Sequence, residues 1–435
     1  MNVDRSAVGF GEVSFADRTY RKVAWRLVPL LFICYVVAYL DRVNVGFAKL
    51  QMLNDLKFSE TIYGLGAGLF FIGYFFFEVP TNLLLYRVGA RKVITRIMVT
   101  WGTISALTMF VETPTQFYII RFFLGIAEAG FFPGIIFYLT IWFPSDRRGQ
   151  ITALFMAAIP MAGVIGSPLS GWILQSFAGV NGWAGWQWLF LLEGIPTVLI
   201  GIFVWFYLDD GIQSAKWLDA SEKTLLTENI QRERAGKTSH SFKHALRNPK
   251  IWILSLVYFG LIMGLYGISF WLPTLVKASG VARAIDVGLL SAIPYVFATI
   301  SMIIVSRSAD KHRERRWHFA IPAVLGGIGL ILSATFANNT GFAIAALSLA
   351  CAGVMTALPI FWSYPTAFLG GAAAAGGIAL IGSLGNLAGF VSPYTVGFIK
   401  DLTQSTDIGV YVLAGSVFAS AVIALLSLPA RLVNR

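Results

Sequence analysis

The chain has 435 residues, of which 57% are hydrophobic and 13% charged, and its mean hydropathy is +0.71. Soluble domains carry about 25% charged residues and fewer apolar ones, so this composition excludes an ordinary soluble protein and predicts a polytopic membrane protein. The net charge of +11 raises the question of a nucleic-acid partner, which the distribution of the basic residues answers.

Apolar stretches of about 20 residues, the length that crosses the hydrocarbon core of a bilayer, recur along the whole chain. The predicted transmembrane helices, numbered spans 1 to 12, cover residues 27–48, 61–85, 93–112, 116–140, 150–177, 186–208, 250–275, 285–305, 318–336, 341–365, 372–399 and 408–430. One long polar gap divides them into two sets of six. The sequence therefore predicts an all-α integral membrane protein with twelve transmembrane helices in two six-helix halves, residues 27–208 and 250–430.

Polar segments lie outside the two halves: an N-terminal tail at 1–26, a central loop at 209–249 and a C-terminal tail at 431–435. In the central loop, Asp219 and Glu222 begin a stretch with the pattern of a capped, water-exposed helix. Lys and Arg cluster in the N-terminal tail, in the central loop and after spans 2, 4 and 8. By the positive-inside rule, both termini and the central loop are cytoplasmic. Orientation thus explains the net charge, and no nucleic-acid partner is expected.

Four ionisable residues lie deep in predicted spans: Asp41 and Arg42 in span 1, and Arg121 and Glu128 in span 4. A charged side chain at mid-bilayer costs at least about 2.5 kcal/mol, so such residues face a protein interior or a water-filled cavity and are functional candidates. Neighbours on a helix point about 100° apart, so Asp41 and Arg42 face different partners. We predict that Asp41 pairs with Arg121, which shares a face with Glu128. Arg42 then projects into a cavity as the anchor for an anion.

The formal charges of these two acids and two bases sum to zero. Protonating one carboxylate leaves one positive charge for a monocarboxylate, and a second proton makes room for a dicarboxylate. Burial and a neighbouring arginine shift the proton affinity of a carboxyl group in opposite directions, so a moving helix or substrate can switch it. Asp41 and Glu128 are therefore predicted to couple transport to protons. The alternative interpretation is a structural lock between spans 1 and 4 without proton exchange.

Span 4 contains RFFLGIAEAGFFPG (121–134), which resembles the signature of the major facilitator superfamily. The likeness is to its anion:cation symporter branch, which includes tartrate, phthalate and sugar-acid permeases. Further blocks with this resemblance follow in order: LDRVNVGFA (40–48), GYFFFEVPTN (73–82), GWQWLFLLEGIP (185–196), FWLP (270–273), FWSYPTAFL (361–369) and GNLAGFVSPYTVG (385–397). The resemblance implies a monomer in the inner membrane of a bacterium, with two halves that rock about a midplane site.

The same resemblance implies roles for individual residues. Substrate contacts are expected at Tyr39, Arg42, Tyr74, Arg121, Trp362, Ser363 and Asn386, and proton coupling at Asp41 and Glu128. Two further acids, Glu78 in span 2 and Glu193 in span 6, lie closer to helix ends, where we predict structural pairing rather than a role in transport. Tyr266, Phe270 and Trp271 mark span 7, and Trp271 ranks below Tyr74 and Asn386 because it lies near the predicted membrane boundary.

We therefore predict a proton-coupled secondary transporter that imports a small organic anion, such as tartrate, a sugar acid or an aromatic carboxylate, by alternating access. Its expected partners are that carboxylate, protons and membrane lipid, with no cofactor and no metal. The alternative is a proton-driven exporter of amphiphilic compounds, because GVIGSPLSG (163–171) has a weak resemblance to a motif of drug:proton exporters. A membrane enzyme is disfavoured because the sequence has no HExxH, nucleophile elbow, Walker loop or Cys/His metal spacing. Paired halves around a central charged cluster favour a carrier over a channel.

Overall fold

The structure is a computed structural model that describes residues 14–235, 248–368, 371–430 and 434. The beginning of the predicted N-terminal tail, residues 236–247 of the predicted central loop and most of the C-terminal tail lie outside these described residues. Within the described ranges the chain is helical and has no β-strand. Helices satisfy their backbone polar groups internally, which is what a bilayer requires of a chain this apolar.

The first half consists of spans 1 to 6, three of which are broken once. Span 1 is interrupted at Asn44, span 4 at Ala129 and Gly130, and span 5 at Ala157. Gly130 has φ of 85°, a left-handed conformation that glycine adopts without strain, so the chain bends directly after Glu128. The helices are Phe15–Val43, Val45–Leu56, Glu60–Val88, Ala90–Leu107, Pro114–Glu128, Phe131–Trp142, Ser145–Met156, Ala158–Ser176 and Gly185–Tyr207, with short 3-10 turns at Thr108–Phe110 and Val180–Gly182.

The second half repeats this plan with spans 7 to 12. Its helices are Pro249–Ala278, Ala284–His312, Arg316–Thr335, Thr340–Phe361, Ser363–Phe368, Gly371–Asn386, Ala388–Thr403 and Asp407–Ser427. Eleven helical segments of the described chain are long and apolar enough to cross a membrane. Span 11 supplies the twelfth as two shorter helices that meet at Leu387. The predicted fold class of twelve transmembrane helices is confirmed.

The central loop carries a 3-10 turn, Ile212–Ser214, and the helix Ala220–Ala235. Asp219 Oδ1 accepts from the backbone N–H of Glu222 at 2.8 Å, and Glu222 Oε2 accepts from the backbone N–H of Asp219 at 3.0 Å. The capped helix predicted from the sequence is therefore present. The bond from the Glu222 backbone N–H, together with that from the Ser221 hydroxyl, lowers the pKa of Asp219. Glu222 also pairs with Lys22, which fastens this helix to span 1 of the first half.

The two halves make their closest backbone contacts at one end of the bundle, the end with the loops that follow the odd-numbered spans. We call it the outer end, after the predicted orientation, and the opposite end the inner end. A Cβ on Gly64 of span 2 would lie 2.4 Å from the carbonyl oxygen of Pro393 in span 11. A Cβ on Gly288 of span 8 would lie 2.4 Å from the carbonyl oxygen of Ser167 in span 5. No side chain fits at these crossings. The structure is therefore in an outer-closed conformation.

An ionic network joins the halves at the same end. Glu60, the first residue of the helix Glu60–Val88, forms ion pairs with Lys49 of the first half at 2.6 Å and with Lys400 of span 11 at 2.5 Å. Asp401 accepts from the backbone N–H groups of Glu60 at 3.2 Å and Thr61 at 2.8 Å. A carboxylate from one half thus caps a helix of the other, where the helix dipole favours negative charge. We call Lys49, Glu60, Lys400 and Asp401 the outer network.

Trp271 of span 7 lies against this network, since Lys49 Nζ is 3.3 Å from the centroid of its ring. Trp271 therefore lies at the outer end of the bundle. Because Lys49 is buried, its positive charge is stabilised by Glu60 and by the face of the Trp271 ring rather than by water.

Replacing Glu60 with glutamine is expected to shift the protein towards an outer-open conformation. The change leaves Lys49 and Lys400 without their shared carboxylate, and removing one partner of a buried ion pair costs about 3–5 kcal/mol, so we expect a shift of about tenfold or more. Distances between spin labels at the exposed positions 178 and 402, one in each half, measure the outer-open fraction. The control is Glu112→Gln, which removes an exposed carboxylate from another outer loop. An unchanged distance distribution in Glu60→Gln would show that the outer network does not hold this end closed.

Candidate functional site

A cavity of about 140 Å³ lies between the two halves, on the inner side of the closed outer end. Its wall combines residues of spans 1, 2, 4 and 5 with residues of spans 7, 10 and 11. Five of the sequence-predicted site residues line it: Tyr39, Arg42, Tyr74, Trp362 and Asn386. Aromatic side chains form much of the remaining wall, including Tyr35, Tyr258 and Tyr266. The cavity is mostly apolar, with few groups that can carry charge, as in many small-molecule sites.

Arg42 is the cation of this cavity wall, and it is nearly buried. Its Nη2 forms a hydrogen-bonded ion pair with Glu128 Oε1, and its Nη1 donates to the Tyr266 hydroxyl at 3.0 Å. The guanidinium carbon lies 5.6 Å from the centroid of the Tyr74 ring and 5.4 Å from that of Phe70. The prediction that Arg42 projects into a cavity is matched by this geometry. The prediction that it stays unpaired is wrong, since Glu128 is its partner.

Asp41 faces away from the cavity, into the first half. Its Oδ2 accepts from Trp101 Nε1 at 2.9 Å and from the Thr197 hydroxyl at 2.8 Å, and its Oδ1 accepts from the Ser105 hydroxyl at 3.1 Å. Three neutral donors from spans 3 and 6 therefore hold a carboxylate that we expected to pair with Arg121. The physical reason is the rotation of about 100° between neighbours on a helix, which turns Asp41 towards spans 3 and 6 once Arg42 faces span 4.

Arg121 is fully buried in span 4, and none of its three side-chain nitrogens has a hydrogen-bond partner. Its guanidinium carbon lies 5.3 Å from the centroid of the Phe70 ring. The charges of Glu128, Arg42 and Asp41 act on it through space. The predicted pair of Asp41 and Arg121 is thus absent from this conformation. A buried guanidinium without a hydrogen bond is costly, so Arg121 is a residue whose burial the packing of the fold does not explain.

Some of the remaining predicted site residues lie in the cavity wall, and others lie outside it. The Tyr39 hydroxyl lies 2.9 Å from the Ser269 hydroxyl of span 7, so this cavity residue joins the two halves. Ser363 donates to the Ile360 carbonyl oxygen at 2.6 Å and does not belong to the cavity wall that the structure describes. Asp41, Arg121 and Glu128 also lie behind that wall rather than in it. The nine predicted residues therefore separate into a cavity set and a supporting set.

Tyr266 and Glu78 line the cavity and make polar contacts, although neither was among the predicted substrate contacts. Tyr266 binds Arg42 from the second half, and Glu78 lines the cavity and accepts from the Ser383 hydroxyl of span 11 at 3.3 Å. The sequence contains a signal for Glu78, because it lies four residues after Tyr74 and so on the same helix face. We predicted Glu78 to be a helix-end residue because we considered only its depth along span 2. Tyr266 was recognised as a marker of span 7, but its pairing depends on how the halves meet.

The fold and this buried charge cluster can be compared with known proteins. The family model of the Major Facilitator Superfamily matches residues 31–393 of the chain. The chain belongs to the major facilitator superfamily. Its members and relatives named below are membrane transporters, so this protein is a multi-pass membrane transporter and not an enzyme.

Several relatives cover nearly the whole chain of this superfamily member. A Pseudomonas putida protein, provisionally named metabolite transport protein NicT, is 50% identical over 96% of this chain and 95% of its own. An Agrobacterium vitis protein, provisionally named a tartrate transporter, is 48% identical over 94% of each chain. A quinolone resistance transporter from Acinetobacter baumannii is 41% identical over 92% of this chain and 93% of its own.

Among solved structures, the xylose transporter XylE from E. coli, in a partially occluded inward-open conformation, has a TM-score of 0.75 at 15% identity. It matches 94% of this chain and 98% of its own. A bacterial homologue of the lysosomal transporter Spinster, inward-facing, has a TM-score of 0.71 at 15% identity, with 94% of this chain and 95% of its own covered. At these identities the likeness shows the major facilitator fold alone.

Proposed function

We propose that this transporter imports a small organic anion together with protons, by alternating access. The observation that carries the proposal is Arg42, a nearly buried cavity residue whose guanidinium binds Glu128 of its own half and Tyr266 of the other. A guanidinium stays charged and offers a planar fork of donors that matches a carboxylate. An anion and the Glu128 carboxylate therefore compete for the same group.

Protonation of Glu128 is the step that releases Arg42. A neutral Glu128 no longer holds the guanidinium as an ion pair, and the fork is free to bind the carboxylate of the substrate. The net charge of the cluster is conserved in this exchange, because the positive charge that the proton adds to Glu128 is balanced by the negative charge of the bound substrate. Binding of an anion is thus linked to binding of a proton, as a symporter requires.

Asp41 and Arg121 complete the cluster. With Arg42 and Glu128 they give two acids and two bases, so the empty deprotonated site is neutral, and each added proton accommodates one further negative charge. Arg121 lies seven residues before Glu128, two turns away on a similar helix face. Its guanidinium has no hydrogen-bond partner among the described residues and supplies a second cation. That cation binds the second carboxylate of a dicarboxylate, or it pairs with Glu128 while Arg42 holds the substrate.

The contacts of the cavity across the halves connect binding to movement. Arg42 donates to Tyr266, and Tyr39 bonds to Ser269, so residues of span 1 are tied to span 7. A substrate that displaces these bonds changes how the halves are held together at the midplane, which is where transporters with two related halves bind their substrates.

The aromatic wall and the relatives bear on the substrate class. Relatives named for tartrate support a small hydroxy-dicarboxylate, and Tyr35, Tyr258 and Trp362 supply faces for an aromatic acid. The quinolone resistance transporter from Acinetobacter baumannii supports the second candidate function, export of an amphiphilic compound. An exporter of that kind needs no dedicated anion anchor, so dependence on Arg42 separates the two functions.

Transport by reconstituted protein tests the proposal. Under an inward proton gradient, we expect one of tartrate, galactonate and phthalate to accumulate in proteoliposomes that contain the wild type. Glu128→Gln, which mimics the protonated acid, is expected to exchange that substrate across the membrane but to lose accumulation driven by the gradient. Glu112→Gln, which removes an exposed carboxylate, is the matched control and is expected to behave as wild type. Failure of every acid to accumulate, with gradient-driven efflux of a quinolone instead, would replace import by export.

A further inference from the structure

Glu193 in span 6 is a buried acid with no cationic partner among the described residues. It lies about 12 Å along its helix from Gly185, and its side chain is almost entirely hidden from solvent. Its Oε1 accepts from the Ser170 hydroxyl of span 5 at 2.7 Å, whereas its Oε2 has no hydrogen-bond partner. An ionised carboxylate in this position is costly, because nothing compensates its charge.

A second unsatisfied oxygen lies beside it. The Asn44 side chain is within hydrogen-bonding reach of the Glu193 carboxyl group, and Asn44 Oδ1 is also buried without a donor. Both oxygens are buried acceptors, and each is short of one hydrogen bond. One proton on Glu193 Oε2 satisfies both, because a protonated carboxyl group donates and an amide oxygen accepts.

Asn44 also links Glu193 to Asp41. Its Nδ2 lies 3.5 Å from Asp41 Oδ1, and Thr197, one turn after Glu193 on span 6, donates to Asp41 Oδ2 at 2.8 Å. Among the described residues, span 3 approaches Gly194 with Gly102 and Ala106 and span 5 presents Ser170, so neither span adds a charge beside Glu193. Asp41 is thus the titratable group that faces Glu193. Two acids this close share one proton more readily than they both ionise.

The surroundings of the two acids are unequal. Asp41 receives three hydrogen bonds of 3.1 Å or less, from Trp101, Ser105 and Thr197, and a longer one of 3.5 Å from Asn44, all of which stabilise a carboxylate. Glu193 receives one, from Ser170. In the outer-closed conformation the shared proton therefore resides on Glu193, and Asp41 is the ionised member of the pair.

The route from this pair leads to the outer end. Asn44 and Ser170 line a narrow crevice between the halves, together with Ser269 and Tyr295 of the second half. Opening of the outer end separates spans 5 and 8, whose backbones now touch at Gly171 and Gly288, and brings water to the crevice. Ser170, which lines the crevice, donates directly to Glu193.

We propose that Glu193 is a proton-binding residue of the transport cycle, loaded from the outer end and coupled to Asp41 through Asn44. It takes a proton from water when the outer end opens and passes it to the Asp41 carboxylate, so it acts through Asp41 without touching the substrate. The proposal rests on the proton coupling described above and extends it to a residue outside the cavity.

The test compares the number of protons that enter per substrate in wild type and in Glu193→Gln. The glutamine amide keeps the bond from Ser170 and donates to Asn44 Oδ1, so folding and substrate exchange are retained. We expect Glu193→Gln to carry one proton fewer per substrate molecule. Steady-state accumulation of the substrate then falls about tenfold for each pH unit of the gradient. Glu193→Asp keeps a titratable group and is expected to restore the ratio. Ser333→Ala, which removes a buried hydroxyl of span 9 that donates to the Leu330 carbonyl oxygen, is the matched control and keeps it.

An infrared measurement that needs no substrate accompanies the transport assay. The spectrum of the wild type is expected to contain the band of a protonated carboxyl group that Glu193→Gln removes. Loss of the band together with the lower ratio supports the proposal. A ratio that is unchanged in Glu193→Gln overturns it, since Glu193 then serves only as a hydrogen-bonding group. If none of the tested organic acids brings protons in with the wild type, the proposed symport itself fails. The infrared band still decides in that case whether Glu193 holds a proton.

Discussion

Replacement of Arg42 with lysine is expected to abolish substrate accumulation, although the positive charge is kept. Lysine presents a point charge rather than a planar fork, so it cannot bind a carboxylate in two places and reach Tyr266 of span 7 as Arg42 does. Breaking a buried, hydrogen-bonded charge contact costs about 2–5 kcal/mol, which corresponds to binding that is weaker by roughly 30-fold to several thousand-fold. Equilibrium binding of the transported acid to detergent-solubilised protein measures this loss directly.

The matched control for this variant is Arg283→Lys. Arg283 pairs with Asp286 near the outer end, where 64% of its side chain is exposed, and exposed ion pairs contribute little. The same chemical change is therefore expected to leave binding and transport as in the wild type. If Arg42→Lys binds and accumulates the acid as well as the wild type does, the anion-anchor role of Arg42 is refuted.

Replacement of Arg121 with methionine is expected to stabilise the protein and to abolish transport. In the outer-closed conformation the guanidinium has no hydrogen bond and is fully buried, so its removal relieves a desolvation penalty. A buried donor left without a hydrogen bond costs about 1–3 kcal/mol, and more when it is charged, and an apolar side chain of similar size does not carry this cost. Transport is lost because the cycle needs the second cation of the cluster, and function of this kind is often retained at the expense of stability.

Thermal unfolding in detergent and uptake by proteoliposomes measure the two effects of Arg121→Met. The unfolding midpoint is expected to rise by a few degrees while uptake disappears. Arg232→Met provides the control, since Arg232 is an exposed residue of the central-loop helix with 74% of its side chain accessible; neither quantity is expected to change. A lower midpoint for Arg121→Met would show that the guanidinium has a stabilising partner in the resting protein, and the idea of a free second cation would be abandoned.

The large features of this fold follow from local sequence properties. Runs of apolar residues predict the spans, and the polar gap after Tyr207 predicts the division into halves, because both depend on composition over about 20 residues. The capped helix at Asp219 was predictable for the same reason, since a cap involves residues three positions apart. The breaks at Asn44 and Gly130 are local too, but a single glycine or asparagine within an apolar run does not by itself predict a break.

The site was predictable as a set of residues, and much less so as a set of pairs. Composition and depth single out Asp41, Arg42, Arg121 and Glu128, and the helical rotation correctly turns Asp41 and Arg42 apart. Which of the two faces span 4 depends on the rotation of span 1 against its neighbours. That rotation is determined by donors such as Trp101 and Thr197, whose proximity is tertiary information.

The two acids that we expected to be structural illustrate the same limit. Glu78 and Glu193 were judged by their distance from the helix ends, whereas their surroundings are determined by Ser383 of the opposite half and by Asn44 and Ser170 of other spans. A carboxyl group near a helix end in sequence is fully buried when another helix covers it. Depth along one helix is therefore a weaker guide to function than the donors that surround the side chain.

The central claim is that an organic anion bound by Arg42 enters together with a proton. The measurement that tests it most directly is the pH inside proteoliposomes after a transported acid is added outside without an imposed gradient. We expect the lumen to acidify when the vesicles contain the wild type. With Arg42→Lys or Glu128→Gln, we expect the lumen to acidify only as much as in protein-free vesicles, which report passive diffusion of the acid. Entry of the labelled acid into wild-type vesicles without acidification beyond that background would contradict it.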